Sequence, residues 1–143
     1  MILLDTSGLL SAIDSSQRHH AACAATLKEA AGPLLLSPFV LAELDYLLSR
    51  QVGAHSQLAL LGEVARGAYQ LEPFRAEDVE AARKVVERFG DLQIGLADAS
   101  LVVLAEKHGT RDVLTLDERH FRALRIGRRI RFRILPADRS SAS

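Results

Sequence analysis

The sequence predicts an α/β sandwich in which helices pack around a mainly parallel central sheet. Two observations predict this class: short apolar runs of strand length recur along the chain, and longer helical patterns separate them. A third is size, because 143 residues with 48% hydrophobic and 25% charged side chains suit one soluble globular domain. We expect a single domain over residues 1–136 and a flexible tail over residues 137–143.

In the first part of the chain, caps and helix breakers divide the apolar pattern into elements. Met1–Leu4 is an apolar run that ends at Asp5, where helical spacing begins, so a strand leads into a helix there. The alanine-rich segment Arg18–Ala31 ends at a Gly-Pro pair, which predicts a helix followed by a buried strand at Leu34–Leu36. A Ser-Pro pair then supplies the cap and first-turn proline of another helix, beginning at Pro38.

The second part of the chain continues the alternation. Glycines end its two clearest helical patterns, and Gly109 is placed to take the left-handed conformation that commonly follows a helix. The predicted elements in this part are helices at Ala54–Ala65, Ala76–Phe89 and Gly95–His108, and strands at Ala68–Leu71, Val113–Leu116 and Phe132–Leu135.

Charge and cysteine content restrict the environment of the protein. The formal net charge is +0, but arginines cluster after Glu118 and predict a basic patch at the C-terminal end. The single cysteine, Cys23, cannot form an internal disulfide, and no run approaches the roughly 20 apolar residues needed to cross a bilayer. We therefore expect a cytoplasmic protein.

Four carboxylates occupy positions that solvation alone does not explain: Asp5, Glu43, Asp98 and Asp117. Asp5 and Asp117 each close an apolar strand, at the edge where parallel sheets present their sites. Glu43 and Asp98 have apolar neighbours at helical spacing, which places both on faces expected to pack. Each alone could be a helix cap or the partner of an arginine, but together they predict a carboxylate cluster.

A carboxylate cluster is stabilised by a hard divalent cation such as Mg²⁺ or Mn²⁺, which prefers oxygen ligands. The five histidines show no zinc-ligand spacing with one another or with Cys23, which disfavours zinc and indicates surface positions for most of them. Asp91 is a weaker candidate ligand, because a turn or cap role accounts for it equally well. No phosphate-binding glycine loop is present.

Four segments contain these acids: LLDTSGLL, AELDYLL, LADASLVVLAEKHG and VLTLDERHF, the last with the T-x-D-x-x-x-F form of Thr115, Asp117 and Phe121. Their order and spacing resemble the PIN-domain family, and within it the VapC-type toxins. The resemblance spans nearly the whole chain. It implies a Rossmann-like α/β/α sandwich with an acidic pocket for one or two Mg²⁺ or Mn²⁺ ions.

The resemblance also implies roles for individual residues. Asp5, Glu43 and Asp98 would be the core metal ligands and catalytic acids. Asp117 matches the fourth acidic position of the family, which acts more often through water. Thr6 and Thr115 match supporting hydroxyl positions beside the acids. Because an acidic pocket repels RNA, basic residues elsewhere must bind it, and Arg128 and Arg129 are the candidates.

The implied activity is that of an endoribonuclease toxin that hydrolyses phosphodiester bonds, in tRNA or ribosomal RNA, by metal-activated water. A VapB-type antitoxin and a homodimer are the implied partners. Two alternatives stay open: a non-catalytic PIN-like module that binds RNA or protein, and a phosphatase of the haloacid-dehalogenase type. The usual second aspartate of that phosphatase would fall at Ser7, which counts against it.

Overall fold

The computed structural model describes residues 1–139, which form a parallel sheet flanked by helices. The strands are β1 (Ile2–Leu4), β2 (Leu34–Leu36), β3 (Gln70–Leu71), β4 (Asp112–Leu114), β5 (Arg125–Ile126), β6 (Ile130–Arg131) and β7 (Arg133–Leu135). The helices are α1 (Thr6–Ile13), α2 (His20–Glu29), α3 (Pro38–Gln51), α4 (Ala54–Ala65), α5 (Ala76–Arg88), α6 (Leu96–His108) and α7 (Glu118–Ala123), with a 3₁₀ turn at Gly90–Leu92.

Five strands form the central sheet in the order β3-β2-β1-β4-β7, and every neighbouring pair is parallel. The predicted fold class is therefore confirmed. The central strand β1 pairs through Leu3 with Leu35 on one side and Val113 on the other. Because all five strands run the same way, their carboxyl ends lie at one edge, which brings the residues after β1 and β4 together.

The inner strands β2, β1 and β4 are mostly apolar because helices cover this part of the sheet. Leu3, Leu4, Leu35, Leu36 and Leu114 are fully buried. Such continuous apolar runs are typical of parallel strands that pack on both faces. The polar residues that directly follow them therefore stand out as candidates for function.

The predicted elements are present, with boundaries displaced by one or two residues for most of them. The sequence analysis did not predict α7, the 3₁₀ turn or the antiparallel β5–β6 hairpin. These elements are too short for periodicity to show, and the hairpin strands have only two residues each.

At the C-terminal end, residues 137–139 form a turn in which Asp138 accepts a hydrogen bond from the backbone N–H of Ile134 at 2.8 Å. The rest of the predicted tail, residues 140–143, lies outside the described residues. Among residues 1–139, no helix is both long and apolar enough to cross a membrane.

Candidate active site

The polar residues after β1 and β4 meet at the carboxyl edge of the sheet. Asp5 follows β1 directly, and Thr115 and Asp117 follow β4. The hydroxyl of Thr115 donates a hydrogen bond of 2.6 Å to Oδ2 of Asp5, and Ser7 donates to the same oxygen at 3.2 Å. Two segments that are far apart in sequence are thereby joined by hydrogen bonds around one carboxylate.

Asp5 is the most buried acid of the group, with 5% of its surface exposed. Burial raises the pKa of Asp5 to about 6, the hydroxyl of Thr115 opposes this shift, and the nearby charge of Asp98 adds to it. Although Asp5 occupies the N-cap position of α1, its side chain makes no capping hydrogen bond. Helix capping therefore does not explain this carboxylate.

Glu43 reaches the same place from α3. Its Oε1 accepts a hydrogen bond of 2.6 Å from the hydroxyl of Thr6, the residue after Asp5. Glu43 itself is exposed, as is its helical neighbour Tyr46 at 55%. Its other helical neighbours, Phe39, Val40 and Leu47, are buried or half-buried against the core, so the expected apolar face is present and Glu43 lies at its exposed border.

Asp98 comes from the first turn of α6, and its side chain is 17% exposed. Burial raises the pKa of Asp98; a hydrogen bond from His120 lowers it, and the charges of Asp117 and Glu43 raise it further. The neighbours of Asp98 on the helix, Leu101 and Val102, are buried as expected. Asp98 thus interacts electrostatically with each of the other three acids.

Asp117 has two roles. Its Oδ1 caps α7 by accepting a hydrogen bond of 3.1 Å from the backbone N–H of His120, so the helix-cap explanation is correct for this oxygen. Its Oδ2 lies 3.1 Å from Nδ1 of His120 and points to the cluster. The backbone N–H of Asp117 donates to Thr115 at 2.9 Å, which ties the residue to the hydroxyl that also holds Asp5.

His120 is a residue that the sequence analysis missed. Its Nδ1 lies 2.9 Å from Asp98 and 3.1 Å from Asp117, so one histidine connects two of the acids. Ligand atoms of these three residues all lie within 4.8 Å of one another, close enough to share a cation. The available signal was the i, i+3 spacing from Asp117 on a short helix, because that spacing puts both side chains on one face.

Close packing of α1 against β4 makes this convergence possible. A Cβ atom added to Gly8 would lie 2.5 Å from the carbonyl oxygen of Leu114. Without a side chain at this position, α1 approaches β4 closely enough for Ser7 to accept a hydrogen bond of 3.0 Å from the backbone N–H of Leu116. Glycine at position 8 is therefore a requirement of the site.

The two arginines predicted to bind RNA lie elsewhere. Arg128 and Arg129 are exposed in the turn between β5 and β6. The base of that hairpin borders a cavity with Ala105 and Gly109 at the C-terminal end of α6, whereas Asp98 lies in the first turn of the same helix. Within residues 1–139, neither arginine forms a hydrogen bond or ion pair with any of the four acids.

Comparisons with known proteins agree with this geometry. The sequence model of the PIN domain matches residues 2–126. The chain is 44% identical over 135 residues to Ribonuclease VapC26 of Mycobacterium tuberculosis, an alignment that covers 94% of this chain and 100% of that protein. The chain therefore belongs to the PIN-domain family, and it is a homologue of a VapC ribonuclease.

Solved structures show the same fold at lower identity. VapC20 of Mycobacterium tuberculosis, described as a Sarcin-Ricin loop cleaving toxin, superimposes with a TM-score of 0.76 at 20% identity, over 82% of this chain and 90% of that one. VapBC2 of Rickettsia felis, bound to a DNA fragment from its promoter, gives a TM-score of 0.63 at 19% identity, over 91% and 96%. Membership of the PIN-domain family removes the phosphatase alternative.

Proposed function

We propose that this protein is a metal-dependent endoribonuclease that hydrolyses phosphodiester bonds of tRNA or ribosomal RNA, and that it acts in the cytoplasm as the toxin of a toxin–antitoxin pair. The observation that carries the proposal is the mutual influence of the four acids. The charge of Asp98 raises the pKa of Asp5, and the charges of Asp117 and Glu43 raise that of Asp98. Ligand atoms of Asp98, Asp117 and His120 lie within 4.8 Å of one another, and Asp5 and Glu43 are near enough to Asp98 for their charges to interact with it.

Supporting hydroxyls hold two of these acids in place. Thr115 donates to Asp5 and Thr6 donates to Glu43, each at 2.6 Å. Hydrogen bonds of this length to a carboxylate are strong because the acceptor is charged. We propose that Thr6 and Thr115 are positioning residues that fix the directions of the acids, and that Ser7 assists Thr115.

The donor set fits a hard divalent cation, because carboxylate oxygens predominate and their mutual repulsion is relieved by positive charge. Asp5, Glu43, Asp98 and Asp117 are the proposed ligands. The nitrogen of His120 lies with Asp98 and Asp117 in a group within 4.8 Å, and Asp5 and Glu43 lie outside that group. When bound, Mg²⁺ or Mn²⁺ supplies Lewis-acid activation of water and of the phosphate. The acids also repel the RNA backbone, so a phosphate can approach them only where their charge is compensated.

The test compares Asp98→Asn with Asp91→Asn as a matched control. Asp91, the weaker candidate ligand in the sequence, is exposed in the adjacent 3₁₀ turn and lies outside the group of Asp98, Asp117 and His120. Mn²⁺ is titrated into each protein by calorimetry, and cleavage of total tRNA and ribosomal RNA is followed with and without EDTA. We expect Mn²⁺ binding and EDTA-sensitive cleavage in the wild type and in Asp91→Asn, and the loss of both in Asp98→Asn.

Two outcomes would contradict the proposal. If the wild type binds no Mn²⁺, the acids have a structural role and the protein is a binding module. If cleavage persists in Asp98→Asn or in EDTA, a contaminating or metal-independent nuclease is responsible. Thermal unfolding of each variant shows whether a loss of binding reflects a loss of folding.

We also propose that a VapB-type antitoxin binds this protein and that the protein forms a homodimer. The support is the homology with VapC proteins, one of which has a structure solved together with its VapB partner. Light scattering on the purified protein tests the dimer, since a monomer at micromolar concentration would contradict it. Co-purification with a co-expressed VapB-type protein tests the antitoxin.

A further inference from the structure

A cavity of about 490 Å³ opens beside the C-terminal end of α7, outside the acid cluster. Four arginines and two aspartates line it together with Phe132, leaving an excess of two positive charges: Arg111, Arg122, Arg131, Arg133, Asp112 and Asp138. These arginines lie outside the four segments that resemble PIN domains, so the resemblance implies no role for them. A concave surface of this charge is suited to an anion.

Two of the four arginines have acidic partners, and two have none within residues 1–139. Arg122 pairs with Asp138 at 2.7 Å, and Arg133 pairs with Asp112 at 3.1 Å. Arg111 and Arg131 are exposed, and no described side chain forms an ion pair or hydrogen bond with their guanidinium groups. Guanidinium groups can bind a phosphate through two parallel hydrogen bonds, so these two are available to an external ligand.

Helix α7 connects this cavity to the acid cluster. The helix begins after Asp117, which belongs to the cluster, and Arg122 in its last turn lines the cavity. Arg111 precedes β4 and Arg131 precedes β7, so both lie at the amino edge of the sheet, opposite the acid cluster. The four residues from Arg111 to Thr115 span roughly 13 Å of extended chain. That is several phosphate spacings, so an RNA strand that runs along α7 can reach both places.

We propose that the arginine cavity binds a backbone phosphate of the RNA substrate, several nucleotides from the phosphate at the acid cluster. This proposal rests on the proposed ribonuclease function, and it adds a surface that binds the RNA backbone outside the acid cluster. The acids repel the backbone while Arg111 and Arg131 attract it, so together they fix the position of the strand.

The test is a binding experiment that does not depend on cleavage. Arg111→Gln and Arg131→Gln are combined in one variant, and Arg18→Gln and Arg66→Gln in a control that removes the same charge at exposed sites outside the cavity and the cluster. Affinity for a fluorescein-labelled single-stranded RNA is measured by anisotropy in EDTA at several salt concentrations. Two lost phosphate contacts should reduce the slope of log K against log salt by about 1.4 for a single strand.

We expect this reduced slope in the cavity variant and a nearly unchanged slope in the control. With cleavable RNA, the cavity variant should show a raised KM at unchanged kcat. Equal slopes in the two variants would overturn the proposal and leave the cavity as solvated surface. Failure of the ribonuclease proposal has a different signature, because cleavage would then be absent while the salt dependence of RNA binding could still be measured.

Discussion

Replacing Asp5 with asparagine should stabilise the metal-free protein at neutral pH. The carboxyl group of Asp5 is 5% exposed, and its pKa rises from 3.8 to about 6 in the folded state. A shift of this size corresponds to about 3 kcal/mol of destabilisation when the group is charged, at about 1.4 kcal/mol per pKa unit. Asparagine has the same shape as aspartate, and its amide oxygen can still accept the hydrogen bond from Thr115. We therefore expect Asp5→Asn to raise the free energy of unfolding by roughly 1 to 3 kcal/mol.

The stabilisation by Asp5→Asn should depend on pH, and the raised pKa of Asp5 gives the sign of that dependence. Between pH 3.8 and about 6, the folded protein binds a proton at Asp5 that the unfolded chain has lost, so the contribution of Asp5 to stability falls as pH rises through this window. Below pH 3.8 the group is neutral in both states, and the advantage of Asp5→Asn should vanish. The assay is urea unfolding followed by circular dichroism in EDTA at pH 4, 5, 6 and 7.

Asp91→Asn is the control, because Asp91 is exposed and substitutions at such sites change stability by about 0.5 kcal/mol or less. The reasoning is refuted if the stability difference between wild type and Asp5→Asn is the same at pH 4 and pH 7. Mn²⁺ at 1,000 times Kd should reverse the order, because the wild type then gains about 4.1 kcal/mol and a variant without the ligand gains less.

Three further variants, the last with two replaced residues, test other parts of the structure. Gly8→Ala should lower the free energy of unfolding by about 1 to 3 kcal/mol, because the added Cβ would lie 2.5 Å from the carbonyl oxygen of Leu114; unchanged urea unfolding would contradict this contact. His120→Asn should weaken Mn²⁺ binding by about 10- to 100-fold in calorimetry, because it removes the nitrogen beside two acids, and an unaltered Kd would exclude the histidine from the metal site. If Arg128 and Arg129 bind RNA, replacing both with glutamine should flatten the salt dependence of RNA binding; identical slopes would rule them out.

The sequence predicted the fold well because its signals are local. Proline, glycine and capping residues separate the elements, and the strand at Leu34–Leu36 and the helix at Ala54–Ala65 agree with the structure at both ends. Where the signals were weak, prediction failed: α7 has six residues, and the β5–β6 hairpin pairs only two residues from each strand. Missing α7 also hid the position of His120.

Some residues of the candidate site could likewise be predicted from local signals in the sequence, and others could not. Strand-end position identified Asp5 and Asp117, and apolar neighbours identified Asp98 for the correct reason. The apolar neighbours of Glu43 are mostly buried as expected, but Glu43 itself is exposed, and its hydrogen bond with Thr6 depends on how α3 packs against α1.

Periodicity and capping act within a few residues of the chain, so the sequence alone predicts the order of the longer strands and helices and the acids that follow β1 and β4. Which groups meet depends on the fold: His120 with Asp98, Thr115 with Asp5, and the arginines of the cavity at the far end of α7. Those contacts depend on the order of strands in the sheet and on the close approach of α1 to β4. Segments more than a hundred residues apart, such as Asp5 and Thr115, meet only when the sheet has formed.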